Sequence, residues 1–347
     1  MNSVQPFNAL ALQINTRGIN KCSDRSSSQE LIDANLAHLE KLLGGSNRFI
    51  EVFSGDAVKL VVLPEYFLTS FPFGESIESW KEKACLAQDG AEYERLGALA
   101  QSLGVYLSGN VYELDDHFPD LYFQTSFIIA PSGDVVCRYR RLISMFAPTP
   151  HDVLDAYLDH YGSDSLFPVA RTELGNMACV ASEEILYPEL SRALMLNGAE
   201  IICHSSSEVA SHLMTPKNIA KRARAIENMA YVVSANSAAI TDIDFPAEST
   251  TGSSQVVDFK GAVMAETLPG ESSNANALLD IERLRQARRK PAMTNMVARQ
   301  RFEVVKSTYT QTIYPANNLA DKMPDRTHFL DIQKEVIQGL IDRGVIE

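Results

Sequence analysis

The sequence predicts an α/β fold, and three observations carry that expectation. Short β-rich runs alternate with helical runs over most of the 347 residues, as they do where helices cover a sheet. The run AVKLVVL, Ala57 to Leu63, is apolar at nearly every position, which suits a strand covered on both faces. A composition of 45% apolar and 22% charged residues belongs to a chain that buries a large core rather than one that stays disordered.

Phe7 to Ile14 reads as the first strand. From Ser28 to Phe53, Leu31, Ile32, Leu36, Leu39 and Leu42 recur at helical spacing, with a Gly/Ser/Asn interruption in the second half. Pro64 ends the Ala57–Leu63 strand, so Glu65 lies just past its C-terminal end. A helix from about Ala91 to Leu103 is stopped by Gly104, and a strand follows through Tyr106 to Leu114. Leu121–Ile129 and Val135–Arg140 flank Pro131-Ser132-Gly133-Asp134, a hairpin turn signal. Ser144 to Ser165, rich in Pro, His, Asp and Tyr, reads as an ordered loop. Gly175–Ala181, Ala199–His204 and Ala230–Asn236 read as strands, Pro188–Asn197 and Pro216–Asn228 as helices, and Ser254–Glu266 as a hairpin about Lys260-Gly261. From Asp280 the chain is helical and basic, and the run Arg283 to Lys290 reads as a solvated face able to pair with an acidic neighbouring chain. The segment from about Thr308 reads as a tail. Without repeats, low-complexity tracts or Gly/Ser linkers, the expected organisation is one domain, residues 1–305, with an extension, 306–347, packing on the domain or on a neighbouring subunit.

Composition also excludes function classes. Lys+Arg 31 against Asp+Glu 44 leaves a net charge of −13 and a pI near 5.1, so the phosphate-neutralising surface that nucleic acid or an anionic membrane requires is not expected. A small molecule is the expected partner. Cys22, Cys85, Cys137, Cys179 and Cys203 are scattered, odd in number and never spaced CxxC, which argues against a disulfide framework or structural zinc and fits a reducing cytoplasm. Met1 to Gly18 lacks a basic n-region, and no run reaches the ~18 apolar residues that span a bilayer. Neither GxGxxG nor GxxxxGK[ST] occurs, so no nucleotide is indicated, and no cofactor is expected. His151, Asp152, His160 and Asp164 match no standard metal spacing and read as part of a solvated loop.

Chemistry-bearing residues collect at three strand exits, where ligand sites of open α/β sheets lie: VVLPEYF (61–67), RYRRL (138–142) and ACVASEEILYPE (178–189). With PSGDVVCRYRR leading into the second, RARAIENMAYVVSANS (222–237) and TGSSQVVDFKGAVMAE (251–266) complete five ordered landmarks from roughly Phe7 to Arg301. In these segments the chain resembles the nitrilase superfamily of carbon–nitrogen hydrolases. The resemblance implies a four-layer αββα sandwich, homodimers or larger homo-oligomers built through outer helices, and a Glu-Lys-Cys site acting on amides or nitriles. Glu65 matches the general base. Arg141 stands where the family has Lys, and Ser182 stands where it has Cys; Cys179 lies three residues early.

Those departures are chemical. Cysteine is already a good nucleophile, whereas a hydroxyl ordinarily needs a histidine or an amine as base. Arg141 can hold an oxyanion or a carboxylate but does not exchange a proton as Lys does. Three readings stay open: altered catalysis by Glu65, Arg141 and Ser182 on an amide or related C–N bond, a catalytically silent binding or assembly protein, or a Cys-to-Ser trapped amidase. Tyr66, Glu183, Glu184 and His204 are the candidate substrate-binding residues. Each has a second reading: Tyr66 and Tyr139 as packing, Glu183 and Glu184 as acids at a helix N-terminus, and His204 as a structural hydrogen-bonder or a proton carrier.

Overall fold

A strand buried on both faces must be covered twice, and Phe7–Ile14 is buried at every position. In the computed structural model, which describes residues 4–208, 214–250, 252–270, 272–319 and 325–347, that segment opens β1 (Phe7–Arg17). The strands that follow are β2 (Val58–Val62), β3 (Tyr106–Glu113), β4 (Phe123–Ile129), β5 (Val135–Arg140), β6 (Ala170–Thr172), β7 (Gly175–Ala181), β8 (Ile201–Ser206), β9 (Tyr231–Thr241), β10 (Gln255–Val257), β11 (Val263–Glu266) and β12 (Ser273–Leu279). Their order is β5-β4-β3-β2-β1-β9-β8-β7-β6, with β12 paired to β1 and the β10–β11 hairpin on β9. β1 is the seam. Its first part pairs with β2 from Asn8 to Ala11, and its end pairs in parallel with β9 from Ile14 to Arg17.

The period-2 alternation of side chains assigns the layers. Leu10, Leu12, Val61 and Leu63 face the helices α1 (Arg25–Ser54), α2 (Ile77–Ala84) and α3 (Ala91–Leu103), through Ile32, Leu36, Trp80 and Leu96. Their neighbours Ala9, Ala11, Leu60 and Val62 face the second half-sheet and meet Cys179, Ile201, Cys203 and Val233. Ala178, Val180, Ile202 and Val232 point outward to a further helical layer with Leu194 and Ala225. Four layers, αββα, result.

Several elements differ from the sequence expectation. The loop Ser144–Ser165 contains α4 (Leu154–Tyr161), in which Tyr157 is the one buried residue, too little apolar face to show as a periodicity. After α5 (Pro188–Leu196), α6 (Pro216–Asn228) and α7 (Ile281–Arg289), the tail holds α8 (Phe302–Tyr309) and α9 (Arg326–Asp342). The basic run on α7 is stapled to its own domain: Arg285 pairs with Glu200 at 2.7 Å, and Arg288 donates to the carbonyls of Ala199, Asn228 and Met229. His151, Asp152 and His160 serve local structure, with Asp152 accepting from Thr149 and Asn318 and His160 stacked on His117.

Candidate active site

The three strand exits meet. β2 runs out at Pro64, and Glu65 follows fully buried, before Tyr66 turns the chain at φ +63°. Beyond β5 the backbone N–H of Arg141 still bonds the Gln124 carbonyl, which fixes where its side chain starts. The Arg141 guanidinium then lies 3.2 Å from Glu65 Oε1, donates to Gln124 Oε1 at 2.5 Å and to the Ile143 carbonyl at 2.8 Å, and pairs with Glu183. Gln124 donates to Glu65 Oε1 at 2.7 Å, while Glu65 Oε2 is buried and, among the described residues, accepts no hydrogen bond within 3.5 Å.

Ser182 follows β7 at φ +49° and opens a 3-10 turn, Ser182–Leu186. A non-glycine residue in the left-handed region costs about 1–3 kcal/mol, a strain that collects at functional turns. Two side chains hold the turn. His204 is buried, with Nε2 2.9 Å from the Ser182 carbonyl and Nδ1 2.8 Å from the Ser234 hydroxyl. A carbonyl only accepts, so Nε2 carries the proton and Nδ1 accepts from Ser234. Burial, reinforced by Lys221 and Lys217, holds the imidazole well below the usual histidine range and keeps it neutral. Glu184 accepts from the Tyr139 hydroxyl, from the N–H groups of Leu142 and Ile143, and from the N–H of Ala181. It thereby ties the Arg141 exit to the Ser182 exit, although burial raises its carboxyl above the usual range.

Glu65, Arg141, Ser182, Glu183, Glu184 and Tyr66 thus share one region, with His204 and Glu184 engaged wholly by protein groups and Glu183 and Tyr66 facing a cavity. Tyr66 stacks on Tyr112 with ring centroids 6.1 Å apart, and burial beside Glu65 raises its phenol, so it stays neutral. Cys179 lies in the layer between the sheets beside Ser108, its thiol raised mainly by Cys137 and burial, away from the turn.

Two further residues belong to the site. Gln124, buried on β4, bridges Glu65 and Arg141. Lys217, in the first turn of α6, places Nζ 3.3 Å from Ser182 Oγ and 3.3 Å from Ser206 Oγ. Its sequence signal was a cation at a helix start, where the macrodipole disfavours one.

The cavity, about 1170 Å³, is floored by Tyr66, Gln124, Arg141 and Glu183 and roofed by Phe329, Ile337 and other residues of α9. It is large enough for a sizeable small molecule. Leu319 and Phe329 anchor the roof by packing with Leu121, Phe123, Val153 and Tyr157. Among the described residues no group of His, Cys, Asp and Glu could hold a metal ion, and no helix is long and apolar enough to cross a membrane.

Comparison with known proteins decides the ancestry of this site. The carbon–nitrogen hydrolase family model matches residues 17–289. The chain belongs to the carbon–nitrogen hydrolase family. Among the relatives of this chain, a protein named "Hydrolase in pqqF 5'region" from Pseudomonas protegens is 30% identical over 51% of this chain and 58% of its own length, so just over half of that relative is matched. A deaminated glutathione amidase from Dictyostelium discoideum is 29% identical over 67% of this chain and 79% of its own. Saccharomyces cerevisiae Nit3, of the nitrilase superfamily, superposes with a TM-score of 0.61 at 21% identity, covering 84% of this chain and 97% of that one. The αββα architecture is the nitrilase-type fold.

Proposed function

We propose that this carbon–nitrogen hydrolase acts on an amide or related C–N bond of a small molecule through Glu65, Arg141 and Ser182. The observation that supports the reading best is the setting of Glu65: Gln124 and Arg141 orient Oε1 of a fully buried carboxylate, while Oε2 accepts no hydrogen bond within 3.5 Å from the described residues. That is the state a general base needs, because a group already saturated with donors has no face for a water or substrate proton. Arg141 holds negative charge as it develops on the reacting oxygen, and Tyr66 and Glu183 contact the substrate at the cavity floor. The extension, 306–347, serves as a cover to the cavity rather than as a separate unit.

Screening amides, carbamoyl compounds and nitriles for ammonia release, with other products followed by mass spectrometry, tests the proposal. Glu65→Gln, nearly isosteric and neutral, should lower turnover at least about 100-fold if the carboxylate moves a proton. Unchanged turnover in Glu65→Gln would defeat the assignment, and intact biological activity without turnover would favour a binding role.

A further inference from the structure

A serine hydroxyl is acidified far less readily than a thiol, and the groups around Ser182 differ in fitness for the task. His204 spends both ring nitrogens on the Ser182 carbonyl and Ser234 and does not reach Oγ. Glu65 directs Oε1 to Gln124 and Arg141. Among the described side chains, Lys217 Nζ is the one within hydrogen-bond distance of Oγ, at 3.3 Å. Its position is built in: Thr215 caps α6 by accepting from the Asn218 N–H, its hydroxyl donates to Glu208, Pro216 opens the first turn, and Ser206 holds the ammonium from the side.

We infer that Lys217 is the general base that activates Ser182, giving a Ser–Lys nucleophile pair at a site whose relatives carry cysteine; the inference rests on the hydrolase reading above. The neutral amine takes the Oγ proton as Oγ bonds to the acyl carbon, and the carbonyl electron pair moves onto oxygen beside Arg141. That pair returns as the C–N bond breaks, and the Lys217 ammonium gives its proton to the departing nitrogen. An ester on Ser182 and a free amine or ammonia result. Glu65 then takes a proton from water as the water oxygen attacks the ester; the Ser182 oxygen leaves and takes up the proton that Glu65 gives back, and a carboxylic acid departs.

The surroundings suit an amine that is neutral for part of the time. Burial lowers the Lys217 ammonium below the ordinary lysine value, and Arg141 lowers it further, while Glu65 and Glu208 oppose them. Among the described residues, Lys221 on the same helix, pushed down to about 8, and neutral His204 are the other titratable groups facing it. Burial, Arg141 and a helix N-terminus together press against protonation, with Lys221 as a second cation on the same helix.

The experiment uses methanesulfonyl fluoride on the full chain, so it needs no C–N substrate and stands or falls apart from the hydrolase reading, which ammonia release tests. Attack by Oγ forms an O–S bond and expels fluoride, and peptide mass spectrometry reads the label. Expected is labelling at Ser182 with a rate that rises with pH and levels off at a midpoint below 10.5, the ordinary lysine value. Lys217→Met should slow it at least about 100-fold. Lys217→Arg, which restores charge and hydrogen bonding but not a neutral base, should not rescue it; a merely structural lysine would be rescued. Absence of label at Ser182 in the wild-type chain, or labelling of either variant within about threefold of wild type, would overturn the inference.

Discussion

Removing the Arg141 guanidinium should cost more stability than removing the whole ion pair it forms. Arg141 Nη1 lies 3.2 Å from Glu65 Oε1, and the two side chains are 6% and 0% exposed. At that distance and an effective dielectric of about 20, the attraction is about 5 kcal/mol. Desolvating two ions costs several kcal/mol each, so the intact pair contributes little net stability, whereas a truncated pair leaves a buried charge without compensation. Arg141→Met should therefore destabilise by about 3–5 kcal/mol. Adding Glu65→Gln removes the stranded charge and leaves an amide that can still bond Gln124. The double variant should recover about 1–3 kcal/mol relative to Arg141→Met alone, the range found for coupled neighbours. Urea unfolding of the four chains at pH 7, compared at constant m, measures the cycle. Strict additivity of the two substitutions would refute the claim that Glu65 and Arg141 form one electrostatic unit.

Three further outcomes follow from the same geometry. In Glu184→Gln the amide nitrogen must face the Ala181 N–H, which leaves a donor unmatched and costs about 1–3 kcal/mol. Because the folded carboxyl is raised, wild-type stability should fall as pH rises through and above 4.5, and Glu184→Gln should lack that slope in urea midpoints measured across pH. The His204 ring should remain neutral by NMR as pH falls through 6.5; titration near 6.5 would contradict its burial. Gly97→Ala should lower the urea midpoint despite the helix-propensity gain of about 1 kcal/mol, since the new methyl would sit 2.7 Å from the Gly133 carbonyl in a turn held at φ +95°.

What could be read from the sequence was whatever a strand advertises locally. The apolar run before Pro64 announced both β2 and the exit of Glu65, and the same logic placed Arg141 after β5 and Ser182 after β7. Elements that bury little were silent. β12 reads Ser-Asn-Ala-Asn-Ala-Leu-Leu and is only partly buried, so its pairing with β1 comes from register rather than hydrophobic pattern. α9 reads as tail because Phe329 is its one buried residue; Val336, Ile337 and Leu340 line the cavity beside it. Gln124 and Lys217 escaped for a different reason: neither stands at a strand exit, and each acquires meaning only when the fold brings it to Glu65 or Ser182.

The central claim, hydrolysis of a C–N bond at the Glu65–Arg141–Ser182 site, is tested most directly by turnover of an amide substrate in ¹⁸O-labelled water. The account predicts a carboxylate product carrying one solvent oxygen, formed in equal amount to the ammonia or amine released, with both signals lost together in Glu65→Gln. A product formed without solvent oxygen, or with undiminished yield in Glu65→Gln, would contradict it.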